Sequence, residues 1–175
     1  METVYCDALK TAFEFERSGE RFYRDQLEKV TDEFAKKVLG FLADEEAEHL
    51  RKIELFNDAL INNKEFDLDV ECSTKLSDRS RQLMQDIKTN EEEKISPDST
   101  DIDIYEIAMD MEKKSYSTYE QALADSKNLD DDRINRFFTF LLNEEKEHYD
   151  LLVASKKYLV DPSYYFLDYG GWVFS

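Results

Sequence analysis

Two histidines occur in the chain, His49 and His148, and each closes the same word of acids. Glu45-Glu46-Ala47-Glu48-His49 in the first half is matched by Glu144-Glu145-Lys146-Glu147-His148 in the second. Each word contains a Glu-x-x-His pair, Glu46/His49 and Glu145/His148. Residues three apart on an α-helix are neighbours on one face. A carboxylate beside an imidazole is an N/O donor pair suited to a first-row metal ion. One such pair is usually a solvated accident. Two in matching words, using every histidine of the chain, form a pattern.

Both pairs interrupt an apolar stripe. Glu46 and His49 fall between Leu42 and Ile53, and Glu145 and His148 between Leu141 and Leu152. A lone acid interrupts two further stripes: Glu16 between Ala12 and Gly19, and Glu112 between Ala108 and Tyr116. The halves align, since Ala12-Phe13-Glu14-Phe15-Glu16-Arg17 matches Ala108-Met109-Asp110-Met111-Glu112-Lys113, and Tyr23 matches Tyr119. This is an internal repeat of one helical hairpin. Four carboxylates in one core without partners are very unfavourable, and these stripes offer no basic residue to neutralise them. Two divalent cations would. Two bridging carboxylates, two terminal carboxylates and two imidazoles make a balanced donor set for a metal pair, and one Glu from each of two helices with Glu-x-x-His from each of the others is a known di-metal arrangement.

Four long segments must position these side chains. The periodicity predicts helices from about Thr3 to Lys29 (stripe Leu9, Ala12, Gly19, Tyr23, Leu27, Val30) and from about Asp32 to Asn62 (Val38, Leu42, Ile53, Phe56, Leu60), with Thr31 as N-cap of the second. Two more run from about Asp101 to Lys127 (Tyr105, Ala108, Tyr116, Tyr119, Leu123) and from about Leu129 to Leu159 (Ile134, Phe138, Leu141, Leu152, Ser155). Asn128 is the expected cap of the last, with Asp130-Asp131-Asp132 at the positive end of its dipole. The crossover between the second and third, about residues 63–100, is expected to carry a short amphipathic helix near Leu76–Ile87. The expectation is an all-α four-helix bundle: two antiparallel hairpins joined by one long crossover, in a single domain spanning 1–175. An aromatic tail follows at about 160–175, with Tyr164, Tyr165, Phe166, Tyr169, Trp172 and Phe174. It is read as a strap over one end of the bundle, the alternative being a dimer contact, and a homodimer is expected.

The composition fits. Hydrophobic residues make up 41% and charged residues 37%, with four glycines and two prolines, too few turns for a protein of many short strands. A net charge of −18 repels phosphate backbones and anionic lipid, so neither nucleic acid nor a membrane surface is an expected partner. Cys6 and Cys72 are far apart and form no C-x-x-C, so no cysteine-based zinc or iron–sulfur site is expected within one chain, nor a structural disulfide. The N-terminus lacks the basic and apolar regions of a signal peptide, and the expected location is the cytoplasm.

On these residues the chain resembles the rubrerythrin-like branch of the ferritin-like superfamily over nearly its whole length. The resemblance is carried by residues 12–23, by Leu42-Ala43-Asp44-Glu45-Glu46-Ala47-Glu48-His49, by their second-half counterparts, and by Pro162–Asp168 followed by Trp172. It implies that Glu46 and Glu145 bridge two iron ions, or iron with manganese or another divalent metal. It further implies that Glu16 and Glu112 are terminal carboxylates, and His49 and His148 terminal nitrogens. It implies a di-iron oxidoreductase that reduces hydrogen peroxide, or reacts with oxygen, on electrons from an external rubredoxin-like protein. The alternative is an iron-binding, storage or delivery protein without turnover. Two departures stand out. The chain lacks the four-cysteine rubredoxin-like domain of typical members, and Ser115 stands where they carry an extra Glu one turn after the third-helix ligand. Because a metal-bound imidazole usually gives its second N–H to a carboxylate or carbonyl, Glu45 and Glu144 are expected to reach the opposite helix's histidine. Tyr23 and Tyr119 are expected either to hydrogen-bond ligand carboxylates or simply to pack in the core.

Overall fold

The computed structural model describes residues 2–67, 76–89, 97–126 and 132–161. Five helices account for most of them: α1 (Glu2–Leu27), α2 (Glu33–Ile61), α3 (Leu76–Thr89), α4 (Ser99–Ser126) and α5 (Asp132–Val160). α1 packs along α2 and α4 along α5, each pair a hairpin; α1 also meets α4, and α2 meets α5. The crossover helix α3 lies on α5. This is the expected bundle of two hairpins joined by a long crossover. Among the described residues no helix is long and apolar enough to cross a membrane. Cys72, Asn128 and the aromatic tail lie outside the described residues.

The helix ends follow from local chemistry. α2 is capped by Asp32, not by Thr31. The Asp32 carboxylate accepts from the Ala35 amide at 3.1 Å, satisfying a donor that the first turn leaves unpaired. Thr31 is drawn off to a different acceptor. Its amide and hydroxyl both donate to Asp101, at 2.9 and 3.0 Å, tying the α1–α2 connection to the start of α4. Asp101 and Asp98 cap α4 reciprocally, each carboxylate accepting from the other's amide at 3.1 and 3.0 Å. α2 ends where Asn63 takes a left-handed conformation, φ 48°, and the Lys64 amide donates to the Ala59 carbonyl at 2.8 Å. That left-handed stop suits asparagine better than most side chains.

The apolar core comes in two parts. One end gathers Phe34, Val38, Leu39 and Leu42 of α2 with Tyr105 and Ala108 of α4, Leu151 and Leu152 of α5, and Met84 of α3. The other gathers Leu9 and Ala12 of α1, Ile53 and Phe56 of α2, and Ile134, Phe137, Phe138 and Leu141 of α5. Phe56 and Phe137 stack there, with ring centroids 4.1 Å apart. In each long helix the acid-bearing positions lie in sequence between these two parts, so a buried polar layer separates them. Of the expected stripe residues, Leu27, Leu60, Tyr116 and Leu123 are only half-buried. They sit at the flanks of their stripes, and the buried face of α2 extends instead to Phe34, Ala35, Leu39 and Ala43.

Candidate metal centre

Each helix of the two hairpins brings its acid-bearing turn to the polar layer. Glu16 comes from α1, Glu46 and His49 from α2, Glu112 from α4, and Glu145 and His148 from α5; none of the six is more than 3% exposed. One potential ligand atom from each of Glu46, His49, Glu145 and His148 lies within 4.8 Å of all the others. Glu16 and Glu112 join from the sides. Glu16 Oε2 is 3.0 Å from His49 Nδ1, and Glu112 Oε2 is 3.7 Å from His148 Nδ1.

The two oxygens of Glu46 divide between the two histidines. Oε2 lies 3.7 Å from His49 Nδ1, and Oε1 lies 3.3 Å from His148 Nδ1. Glu145 Oε1 lies 3.5 Å from His49 Nδ1. Both imidazoles therefore turn Nδ1 inward, and their rings stack at 5.1 Å between centroids, 21° from parallel. The tyrosines bind crosswise: the Tyr23 hydroxyl of α1 donates to Glu112 Oε1 of α4, and the Tyr119 hydroxyl of α4 donates to Glu16 Oε1 of α1. Each lateral glutamate thus gives one oxygen to a tyrosine and turns the other toward a histidine. The twofold repeat in the sequence becomes an approximate twofold repeat in the site.

Gly19, read in the sequence only as a small stripe residue, has a steric role here. A β-carbon at Gly19 would stand 3.2 Å from Glu46 Cδ and 3.4 Å from each Glu46 oxygen. The missing side chain at Gly19 leaves room for the Glu46 carboxylate to lie against α1. The corresponding residue of α4, three after Glu112, is Ser115.

The electrostatics show what the site lacks. Burial opposes the charge on Glu16, but the His49 charge, together with hydrogen bonds from Glu46, His49 and Tyr119, holds its carboxyl down at about 2. Burial, then the neighbouring Glu16 charge, pushes Glu46 up to about 8. Burial and the three other glutamates drive Glu145 well above the usual carboxylate range. Against the pull of burial, the nearby Glu112 and Glu46 carboxylates raise His148 to about 10, and Glu16 foremost raises His49 well above its ordinary value. Burial, reinforced by their carboxylate partners, keeps the Tyr23 and Tyr119 hydroxyls protonated far into the alkaline range. Protons here do the work of missing positive charge.

Protons do not satisfy the geometry. Neither oxygen of Glu145, neither ring nitrogen of His148, nor His49 Nε2 has a hydrogen-bond partner, although all are buried. Buried polar atoms left this way cost stability. A pair of cations in the middle would satisfy Glu145 and His148 together, and a set of four carboxylates and two imidazoles suits hard to borderline first-row divalent ions. The residues present fit a two-metal site.

The outer carboxylates and their partners were only partly legible in the sequence. Glu144 Oε2 lies 3.7 Å from His49 Nε2, so it faces the opposite helix's histidine as expected. That histidine, foremost, outweighs burial and holds Glu144 below the ordinary carboxylate value. Glu45 is taken by a residue the sequence did not suggest. Arg79 of α3 donates from Nη1 to Glu45 Oε1 at 2.7 Å and places Nη2 2.6 Å from Oε2. Burial nevertheless raises Glu45 above its ordinary value, even with Arg79 beside it. The expectation that no basic residue reaches these stripes is also corrected. Lys52, one turn after His49, is 3% exposed and sets its ammonium 4.9 Å from the Phe140 ring centre, where the face of the ring favours a cation. Its position three residues after a ligand histidine was the available signal. Arg79 offered none, because only the tertiary course of the crossover brings it near.

A protein-family model described as Rubrerythrin matches residues 7–156. Neither a curated protein nor a solved structure matches the chain.

Proposed function

Since the chain belongs to the rubrerythrin family, a family of di-iron carboxylate proteins, we propose that it is a non-haem di-iron oxidoreductase that reduces hydrogen peroxide with electrons from an external redox protein. The observation that carries this reading is Glu46, whose two oxygens face two different histidines from the centre of a buried acidic layer. That is the posture of a carboxylate shared between two cations. In this reading Glu46 and Glu145 at the centre, Glu16 and Glu112 at the two sides, and His49 and His148 as nitrogen donors would hold the two metals.

Two Fe(II) ions, when bound, supply the two electrons that cleave one O–O bond and act as Lewis acids toward the oxygens. With two protons, one hydrogen peroxide becomes two waters. The chain's own residues do the holding. Tyr23 and Tyr119 keep one oxygen of each lateral glutamate occupied, which fixes the rotamer that turns the other inward. The two apolar ends of the core exclude water from both sides of the layer. In this reading the electron donor is a separate small redox protein.

The test compares oxidants. Anaerobic protein loaded with two Fe(II) per chain should oxidise rapidly with one equivalent of hydrogen peroxide and much more slowly with oxygen. Equal or faster oxidation by oxygen would remove the peroxidase assignment. A second reading, iron capture or delivery by the same site, draws on Ser115, which replaces a carboxylate of typical members. Loading beyond two irons per chain would favour it.

A further inference from the structure

The crossover helix α3 sends one side chain to the rear of the metal centre. Arg79 grips both oxygens of Glu45, and its Nη2 stands 3.7 Å from Glu144 Oε2. That same Glu144 oxygen is 3.7 Å from His49 Nε2. The guanidinium therefore meets the two carboxylates that immediately precede the two central glutamates, one on α2 and one on α5. A buried cation nearby is Lys52, whose ammonium is held against Phe140. Glu48, 3.8 Å from that ammonium, has a cation of its own in Arg51, at 2.7 Å.

Charge explains why these cations are present. The four central glutamates together with Glu45 and Glu144 are six buried carboxylates. Two divalent ions cancel four of those charges, and Arg79 and Lys52 supply the remaining two. The site with both metals divalent is then neutral, the cheapest condition for a buried cluster. A planar two-pronged donor such as arginine also fixes the direction of the carboxylate it holds, which a lysine cannot do.

We propose that Arg79 is a positioning residue for the two-metal centre, by which the crossover helix clamps Glu45, faces Glu144 behind His49, and so holds in place and neutralises the two carboxylates that precede the central glutamates. This rests on the two-metal reading given above. The crossover is then part of the site and not merely a connection. The coupling runs both ways: a centre that needs Arg79 in place must, when loaded, hold α3 more firmly against the bundle. It also sets a redox direction. A fixed positive charge beside the metals favours their reduced, less positive state, so Arg79 raises the reduction potential.

The experiment uses the full chain, R79Q, R79K, E45Q and the double variant R79Q/E45Q. Co(II) and Zn(II) affinities are measured by chelator competition, and the midpoint potential of the iron-loaded protein by anaerobic redox titration. Exchange of the α3 amides is followed with and without Zn(II). R79Q should bind metal about 10- to 100-fold more weakly, the usual effect of losing a partner behind the ligands. Its potential should fall, its Co(II) spectrum should change, and the metal-dependent protection of α3 should disappear. R79K should keep most of the potential while losing part of the affinity. R79Q/E45Q should be no weaker than R79Q alone, since the arginine acts through that carboxylate. A folded R79Q with wild-type affinity and potential overturns the proposal, as does full additivity in the double variant. If R79Q does not fold, R79K decides, and unchanged affinity there overturns it. Wild-type protein that fails to bind two metals per chain sinks the two-metal reading instead, and the two failures are distinguishable.

Discussion

The Glu46 carboxylate lies so close to Gly19 that a β-carbon there would stand only 3.2 Å from Glu46 Cδ. Two opposing effects therefore meet at Gly19→Ala. In a helix interior, alanine is favoured over glycine by roughly 0.5–1 kcal/mol. The added methyl must also push Glu46 aside by a few tenths of an ångström. Without metal, Glu46 can give way, and the melting temperature of G19A should equal or exceed that of the wild type. With metal, Glu46 cannot move without leaving its place between the histidines, so Zn(II) affinity should drop at least tenfold. Chelator competition and paired melting curves separate the two effects; an unchanged affinity would mean that the contact does not constrain Glu46.

Glu145 is the purest case of an acid without a partner, with both oxygens buried and unbonded. Its carboxyl is already driven toward the neutral form, so Glu145→Gln should leave the metal-free protein about as stable as before. The same change should abolish binding of the second metal. It should also cut the rise in melting temperature on metal addition, since each bound metal contributes about 4 kcal/mol when free metal is a thousandfold above its Kd. Metal analysis and calorimetry on one preparation check both halves, and a full two-metal stoichiometry in E145Q would contradict the bridging role.

The crosswise tyrosines invite a single-atom test. Tyr119→Phe removes the hydroxyl that donates to Glu16 and little else. Hydrogen bonds to charged groups contribute roughly 1.5–3 kcal/mol, and urea unfolding of the metal-free variant should show a loss in that range. Tyr23→Phe should behave alike, because Glu112 is placed by the same kind of bond. A large loss for one and none for the other would break the internal symmetry.

The protons held by the site give the metal-free protein an unusual pH profile. Glu46 is raised from 4.5 to about 8, and His148 from 6.5 to about 10. Native-state protons of this kind stabilise fully below the unfolded-state values and are lost as pH rises through the folded ones. Glu16, lowered from 4.5 to about 2, works oppositely; its contribution is present above 4.5 and lost as pH falls through about 2. Metal-free protein should therefore be most stable near pH 4.5, where Glu16 has gained its full contribution and Glu46 and His148 have not yet lost theirs, and weaken steadily toward pH 10. Metal binding must displace these protons, so affinity should strengthen over the same interval. Melting curves of chelated protein at pH 5.5, 7.5 and 9.5 would expose a flat profile if this is wrong.

The six central residues could be found in the sequence because their signal is local and doubled. An acid inside an apolar stripe conflicts with burial, and the same conflict recurs at matching places in both halves. The hairpins were readable for the same reason, since periodicity reports which face of a helix is covered. What escaped was tertiary. Thr31 and Asp32 are both good caps, and only the presence of Asp101 across the bundle decides which one is diverted. Gly19 looks like any small residue until Glu46 is placed beside it. Arg79 lies in a polar segment where many charged residues are alike, and nothing in its neighbours marks it as the one that turns inward.

The polar layer cuts the hydrophobic interior into two oily ends that share no buried apolar residue. Without cations, the helix backbones and a few hydrogen bonds across the layer are what join one end to the other, so each end can loosen on its own, as separate cooperative units do elsewhere. Two ions in the gap would rivet four helices at mid-height and turn two half-independent folding units into one. Metal delivery to this chain would then be a late folding step as much as a loading step, with the bundle acquiring its full cooperativity only when its centre is filled.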